Sequence, residues 1–195
     1  MLEDKFHKHT IILASASPRR QQYFKEMGIP FTVQTIPVDE VYPPHLQGDQ
    51  ISSYLAALKA AQFKGKLKET DILITSDTVV WHKGISLAKP KDKADAVQML
   101  QTLSNDWHEV ITSVCFTTPI TQETFAHKTK VKFRELSEEE INHYVDHFKP
   151  FDKAGGYGIQ EWIGLIGIED IQGSYSNVVG LPTHLVYKML MTMVA

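Results

Sequence analysis

Apolar and polar positions along this chain switch repeatedly between short unbroken runs and helical spacing. Ile11–Ala14 is a short apolar run, the pattern of a buried strand. Ser17-Pro18 behind it reads as a helix start, with Ser at the N-cap and Pro in the first turn, where its missing N–H does no harm. Tyr23, Phe24 and Met27 follow at helical spacing until Gly28 ends the helix. Phe31–Thr35 reads as a second strand. Ile51, Tyr54, Leu55 and Leu58 stand at i, i+3, i+4 and i+7, which predicts an amphipathic helix over 50–64. Asp71–Thr75 is another buried strand, followed at once by Ser76-Asp77-Thr78, and Val79–Trp81 resumes as strand into a turn at Gly84.

Farther along, Asp92 caps a helix carrying Val97, Leu100 and Leu103. Strands dominate 107–134, which is rich in Val, Thr, Ile and Phe. Ser137 and Glu140 form a capping box for a helix with Ile141, Tyr144, Val145 and Phe148 on one face. Pro182 opens a last helix whose apolar stripe is Leu185, Met189 and Met193. Strands alternate with helices around one hairpin-like block, so the fold class is α/β with a mixed sheet; the length fits one domain over 1–195, or at most two small lobes.

Seven of the eleven glycines fall between Gly155 and Gly180. Tyr157, Ile159, Trp162 and Ile163 are interleaved with them, so this is a folded loop and not a linker. Either it presents backbone for close approach of a ligand or it is a run of tight turns.

Composition adds limits. The 195 residues are 43% apolar and 22% charged, which suits a chain able to bury a real core and excludes disordered and fibrous classes. Met1–Thr10 is polar and mixed in charge, and the apolar run behind it is too short for a signal core, so no leader is expected. No run approaches a membrane span. The single cysteine, Cys115, excludes an internal disulfide and a Cys-based zinc site, and points to a reduced, cytoplasmic setting. A net charge of −3 gives no bulk attraction to duplex nucleic acid or an anionic membrane.

Three groups of residues could carry chemistry. Ser15-Ala-Ser17-Pro18-Arg19-Arg20 sits at a strand-to-helix junction, where free N–H groups, hydroxyls and guanidiniums suit an anion; the bland alternative is a capped helix with solvated arginines. It lacks the glycines and the Lys-Ser/Thr ending of a P-loop. Asp77 follows a buried strand, where a carboxylate is costly unless it meets a metal or a cation; an Asx turn or cap is the alternative. Glu40, Lys59 and Lys89 are single charges in or beside apolar elements, and Lys59 could simply snorkel. His143 and His147 lack the glutamate a zincin needs, and nothing marks Cys115 as a nucleophile.

Taken in order, Leu13-Ala-Ser-Ala-Ser-Pro-Arg-Arg20, Ser76-Asp-Thr-Val79, Lys89-Pro90, His108-Glu-Val-Ile-Thr112, Asp152-Lys-Ala-Gly-Gly-Tyr-Gly-Ile-Gln160 and Gly180-Leu-Pro182 resemble the Maf family of nucleotide pyrophosphatases. The resemblance implies an elongated mixed sheet flanked by helices, with two lobes around a central cleft as in inosine triphosphate pyrophosphatases, often as a homodimer. It implies hydrolysis of a nucleoside triphosphate to the monophosphate and pyrophosphate with a divalent cation, Mg²⁺ or Mn²⁺. Ser15, Arg19 and Arg20 would hold phosphates, and Glu40, Lys59, Asp77, Lys89 and Gln160 would complete the site. Asp77 matches the proton acceptor, and Asp77 with Glu40 would hold the metal. Thr78 and Gln160 match the branch that prefers dTTP and UTP over 7-methyl-GTP. Ser76 stands where the family usually has Ala, and Ala88 where it has Gly or Glu. The alternatives are a 7-methyl-GTP pyrophosphatase of the same family and a non-catalytic nucleotide-binding regulator of cell division, the latter suggested by the family's other name, septum formation protein.

Overall fold

The computed structural model describes residues 5–195, so the first four residues of the polar opening segment lie outside the described residues. In chain order the elements are β1 (Thr10–Leu13), α1 (Pro18–Glu26), β2 (Thr32–Val33), α2 (Asp49–Ala61), β3 (Asp71–His82), β4 (Ile85–Leu87), α3 (Lys93–Leu103), β5 (Trp107–Thr117), β6 (Gln122–Phe133), α4 (Glu138–Phe148), α5 (Trp162–Gly167), β7 (Ile168–Gln172), α6 (Tyr175–Val179) and α7 (Thr183–Met193), with a 3₁₀ turn at Ala154–Gly156.

The strands form one mixed sheet in the order β2-β1-β3-β5-β6-β7, with β4 added to β3. β1 lies parallel to both β2 and β3, pairing Ile12 with Leu73 and Leu13 with Ile74. β4 returns antiparallel on the far half of β3, and β7 lies antiparallel to β6. The expected α/β class with a mixed sheet is therefore the observed one.

The chain divides into two compact units. The first holds the residues up to Asp77, then Thr112–His127 and Gly180–Ala195; the second holds Thr78–Ile111 and Lys128–Val179. In the first unit the sheet is buried on both faces. Ile11, Leu13, Ile72, Ile74, Val114 and Phe116 pack against Phe24 of α1 and Val186 and Leu190 of α7. Ile12, Leu73 and Cys115 pack against Ala56 and Ala60 of α2. Two-sided burial is why these strands read as continuous apolar runs. In the second unit one core joins Val80, Val110, Val131 and Phe133 to α3 and α4 through Leu100, Leu103, Ile141 and Tyr144.

Several local expectations hold. The Asp92 side chain accepts from the Asp95 N–H at 2.9 Å, and Ser137 with Glu140 forms the reciprocal capping box. Gly28 follows α1 at φ +66°. Other expectations are corrected. Ser17 occupies the N-cap of α1, but its side chain makes no cap bond; the Ser17 N–H instead donates to Ser15 Oγ at 3.2 Å. The second strand is only Thr32–Val33. Ser76-Asp77-Thr78 does not end a strand, because β3 runs unbroken from Asp71 to His82. On α7 the fully buried residues are Val186 and Leu190, with Leu185, Met189 and Met193 packed beside them. The glycine-rich segment contains α5, β7 and α6, which its composition concealed.

Gly164 explains part of that concealment. A Cβ there would stand 1.8 Å from the Ile159 carbonyl oxygen, so α5 and the segment before it approach at backbone distance. Helix propensity favours Gly164→Ala by about 0.5–1 kcal/mol, whereas the overlap should cost about 1–3 kcal/mol. The steric effect is expected to win, lowering the urea midpoint at unchanged slope; a raised midpoint would show that the contact yields freely.

Candidate functional site

The register between β3 and α2 builds the centre of the site in the first unit. Side chains two apart on a strand share a face, so Leu73, Thr75 and Asp77 all point toward α2. The Thr75 hydroxyl donates to the Ala56 carbonyl at 2.7 Å, which pins the helix over the strand. One helical turn after Ala56, Lys59 reaches Asp77: its Nζ lies 2.7 Å from Asp77 Oδ1 and 2.8 Å from Glu40 Oε1. It also donates to the Ser76 carbonyl at 3.4 Å. One ammonium thus bridges two carboxylates, one from a strand and one from the segment before α2.

Arg20 enters from α1. Its Nε donates to the Gly180 carbonyl at 2.8 Å and its Nη1 to the Ser76 carbonyl at 3.1 Å. Ser15 is buried at the end of β1, and its carbonyl accepts from Gln21 Nε2 at 3.1 Å. Arg19 is half-buried beside Arg20. The mid-strand Asp77 carboxylate is thus paired with Lys59 and interacts electrostatically with Arg20 and Glu40, with Ser15 at the end of the neighbouring strand β1. Ser76 points to the opposite face, where its hydroxyl is buried without a hydrogen-bond partner. That apolar setting suits the alanine the family usually has there.

Burial raises the Asp77 carboxyl above the ordinary value; Lys59 and Arg20 oppose that rise, and Glu40 adds to it. Burial likewise lowers the Arg20 guanidinium, while Asp77 supports its charge. Desolvation and opposite charge thus compete at Asp77, and desolvation wins. Because the folded state raises this carboxyl, it favours folding below the unfolded value and loses that contribution as pH rises through the folded one.

Thr78, Lys89 and Gln160 belong to the second unit. There the Lys89-Pro90 segment is tied to the glycine-rich loop. The Gly155 N–H donates to the Ala88 carbonyl at 3.1 Å, and a Cβ on Gly156 would meet Pro90 at 3.2 Å. Ala88 serves through its backbone, so its departure from the family pattern leaves this bond intact.

Sequence reasoning missed the residues that hold this loop. The Tyr144 hydroxyl donates to Glu161 and accepts from the Gly158 N–H at 3.0 Å. Lys153, almost fully buried, stands 3.1 Å from Glu161 Oε1. His108 Nε2 lies 2.6 Å from the Tyr157 hydroxyl. Burial pushes the His108 imidazole down to about 3, so it stays neutral at physiological pH. These bonds bracket Gly158, Ile159 and Gln160. Tyr144 looked like a core residue on its helix face, and nothing in its spacing revealed the polar tip.

Among the described residues no three His, Cys, Asp or Glu side chains converge on a possible metal position. His143 and His147 are exposed, with rings stacked at 4.2 Å. Cys115 is buried in the core.

The electrostatics around Asp77 can be titrated directly. In Lys59→Met, the Asp77 carboxyl should titrate at higher pH than in the wild type, because the opposing ammonium is gone. In Glu40→Gln it should titrate at lower pH, because a like charge is gone. Carboxyl ¹³C NMR reads both; opposite directions would contradict the geometry.

The comparisons with known proteins agree over the whole chain. The model of the family described as Maf-like protein matches residues 10–193. A protein of Christiangramia forsetii named dTTP/UTP pyrophosphatase is 56% identical over 193 residues, covering 99% of this chain and 98% of that one. Proteins of the same name from Flavobacterium johnsoniae and Bacteroides fragilis are 52% and 49% identical, with 100% and 94% of this chain covered and 100% and 95% of theirs. With the motif residues in register and both units spanned, the chain belongs to the Maf family.

Proposed function

We propose that the protein is a nucleoside triphosphate pyrophosphatase that hydrolyses dTTP and UTP to the monophosphate and pyrophosphate. The observation that carries the reading is the buried Asp77 carboxylate, poised against Lys59 with Arg20 and Ser15 beside it. The names of the relatives support it, as do Thr78 and Gln160, which match the branch preferring those bases.

The reaction is in-line displacement at the α-phosphorus. A bond forms from the water oxygen to phosphorus, the bond to the bridging oxygen breaks, and pyrophosphate leaves with that electron pair. Asp77 accepts the proton of the attacking water. Ser15, Arg19 and Arg20 bind phosphate oxygens, where backbone N–H groups of the α1 start add to the field. Lys59 and Lys89 stabilise the charge that builds on the phosphoryl oxygens and the leaving group, and this preorganised field is the largest contribution. Thr78 and Gln160 select the base.

The donor set fits a divalent cation. Glu40 and Asp77 are hard oxygen donors that each turn one oxygen to Lys59, and Mg²⁺ or Mn²⁺ takes one or two carboxylates and completes its shell with water and phosphate oxygens. When bound there, the ion would polarise the phosphoryl oxygens. No helix among the described residues is long and apolar enough to cross a membrane; a cytoplasmic setting and a homodimer belong to the same proposal.

A pyrophosphate-release assay with Mg²⁺ or Mn²⁺ tests the reading. The wild type should turn over dTTP and UTP faster than 7-methyl-GTP, and Asp77→Asn should lose at least about 10²-fold in rate with its fold intact by circular dichroism. A fully active Asp77→Asn, or a preference for 7-methyl-GTP, overturns it.

A further inference from the structure

The second unit carries a set of groups on its sheet that none of the chemistry above uses. Along β3, β5 and β6 the inward positions Val80, Val110, Thr129, Val131 and Phe133 are buried. The alternate positions face outward: Trp81 on β3, Trp107 and Glu109 on β5, and Lys128, Lys130 and Lys132 in a row on β6. β7 continues the face, because Lys130 pairs with Gln172 and Lys132 with Asp170. Together Trp81, Lys83, Trp107, Glu109, Lys130 and Gln172 line a groove of about 610 Å³, within the size range of small-molecule sites.

The charges here are distributed unequally. Lys83 lies 2.6 Å from Asp106, and Lys128 lies 3.1 Å from Glu109. Lys132 donates to the Asn105 carbonyl at 2.8 Å. Lys130, exposed and lining the groove, makes no side-chain hydrogen bond or ion pair among the described residues. The groove therefore offers two half-buried indoles, one acid already answered by a lysine, and one unspent ammonium.

We propose that this groove binds a nucleotide, its base stacked on an indole and its phosphate held by Lys130. The nucleotide is either free or one unit of a single strand. A base is a flat, polarisable partner for an indole, and a phosphate is the natural partner of a lysine beside it; aromatic platforms with cations are how single-stranded nucleotides are held. The proposal stands independently of the chemistry assigned to Asp77.

The tryptophans provide the probe. The chain has three, and Trp162 packs elsewhere, against His143. In a Trp162→Phe background, emission reports only Trp81 and Trp107. Uridine monophosphate and a short oligouridylate, titrated separately in EDTA, should quench it saturably. Quenching by both probes points to a free nucleotide, and quenching by the oligomer alone points to a strand; either supports the proposal. Lys130→Glu should weaken binding at least fivefold and flatten its salt dependence, while pyrophosphate release stays within twofold of wild type. Trp107→Ala should weaken binding at least tenfold, the scale of one lost base stack. Because Lys130 is exposed, its variant keeps the test valid if Trp107→Ala misfolds. No quenching at millimolar probe, emission that responds to protein concentration alone, or an unchanged titration in Lys130→Glu each overturns the proposal.

Discussion

The structure of the site depends on one ammonium. Lys59 stands between Asp77 and Glu40, and without it the buried Asp77 carboxylate would keep an exposed like charge nearby and lose its closest cation. Burying a charge is costly unless it is paired and hydrogen-bonded. Here Lys59 is held by position as well as by charge, since the Thr75 bond to Ala56 sets α2 over β3 and places the next helical turn at Asp77. The Ala56 and Ala60 side chains let the helix lie close to Leu73 and Cys115. Core packing and site chemistry are thus two results of one register.

The same logic governs Arg20. Its guanidinium is anchored by two backbone carbonyls, Ser76 and Gly180, from segments far apart in the chain. Anchoring by backbone ties the orientation of the cation to segments of the fold itself. A cation held this way needs little reorganisation when an anion arrives, which is the source of electrostatic catalysis. In the second unit the glycine-rich loop is held by buried hydroxyls and a buried lysine. Its glycines accommodate close packing, as Gly155 against Val80 illustrates, and do not make the segment slack.

The whole-chain charge conceals local concentrations of positive charge. Arg20 and Lys59 concentrate positive charge around Asp77 in the first unit, and the outward lysines of β6 do so on the sheet of the second. A balance summed over 195 residues averages both away. It remains a sound argument against binding a long duplex, where many phosphates must be neutralised together, and a poor one about a single phosphate.

Much of the fold was legible because it rests on local physics. The apolar runs of β1 and β3, the caps at Asp92 and Ser137, and the helical spacing of Ile51, Leu55 and Leu58 act over a few residues and can be read from a few residues. Asp77 was visible as a carboxylate beside a buried run, and Ser15 to Arg20 as a strand-to-helix junction rich in donors. Glu40 and Lys59 stood out only weakly, as single charges in or beside apolar elements, and the resemblance to a family gave them roles. Lys59 meets Asp77 across 18 positions and Glu40 across 19, and no local periodicity encodes such meetings. α5 escaped notice because two of its six positions are glycine, and β7 and α6 because five residues each are too few to show a period. The sequence by itself determined the α/β class, the main elements and the family. Only the tertiary structure decided which charges meet, because that depends on the register of a helix over a strand, and register is settled by packing at a distance.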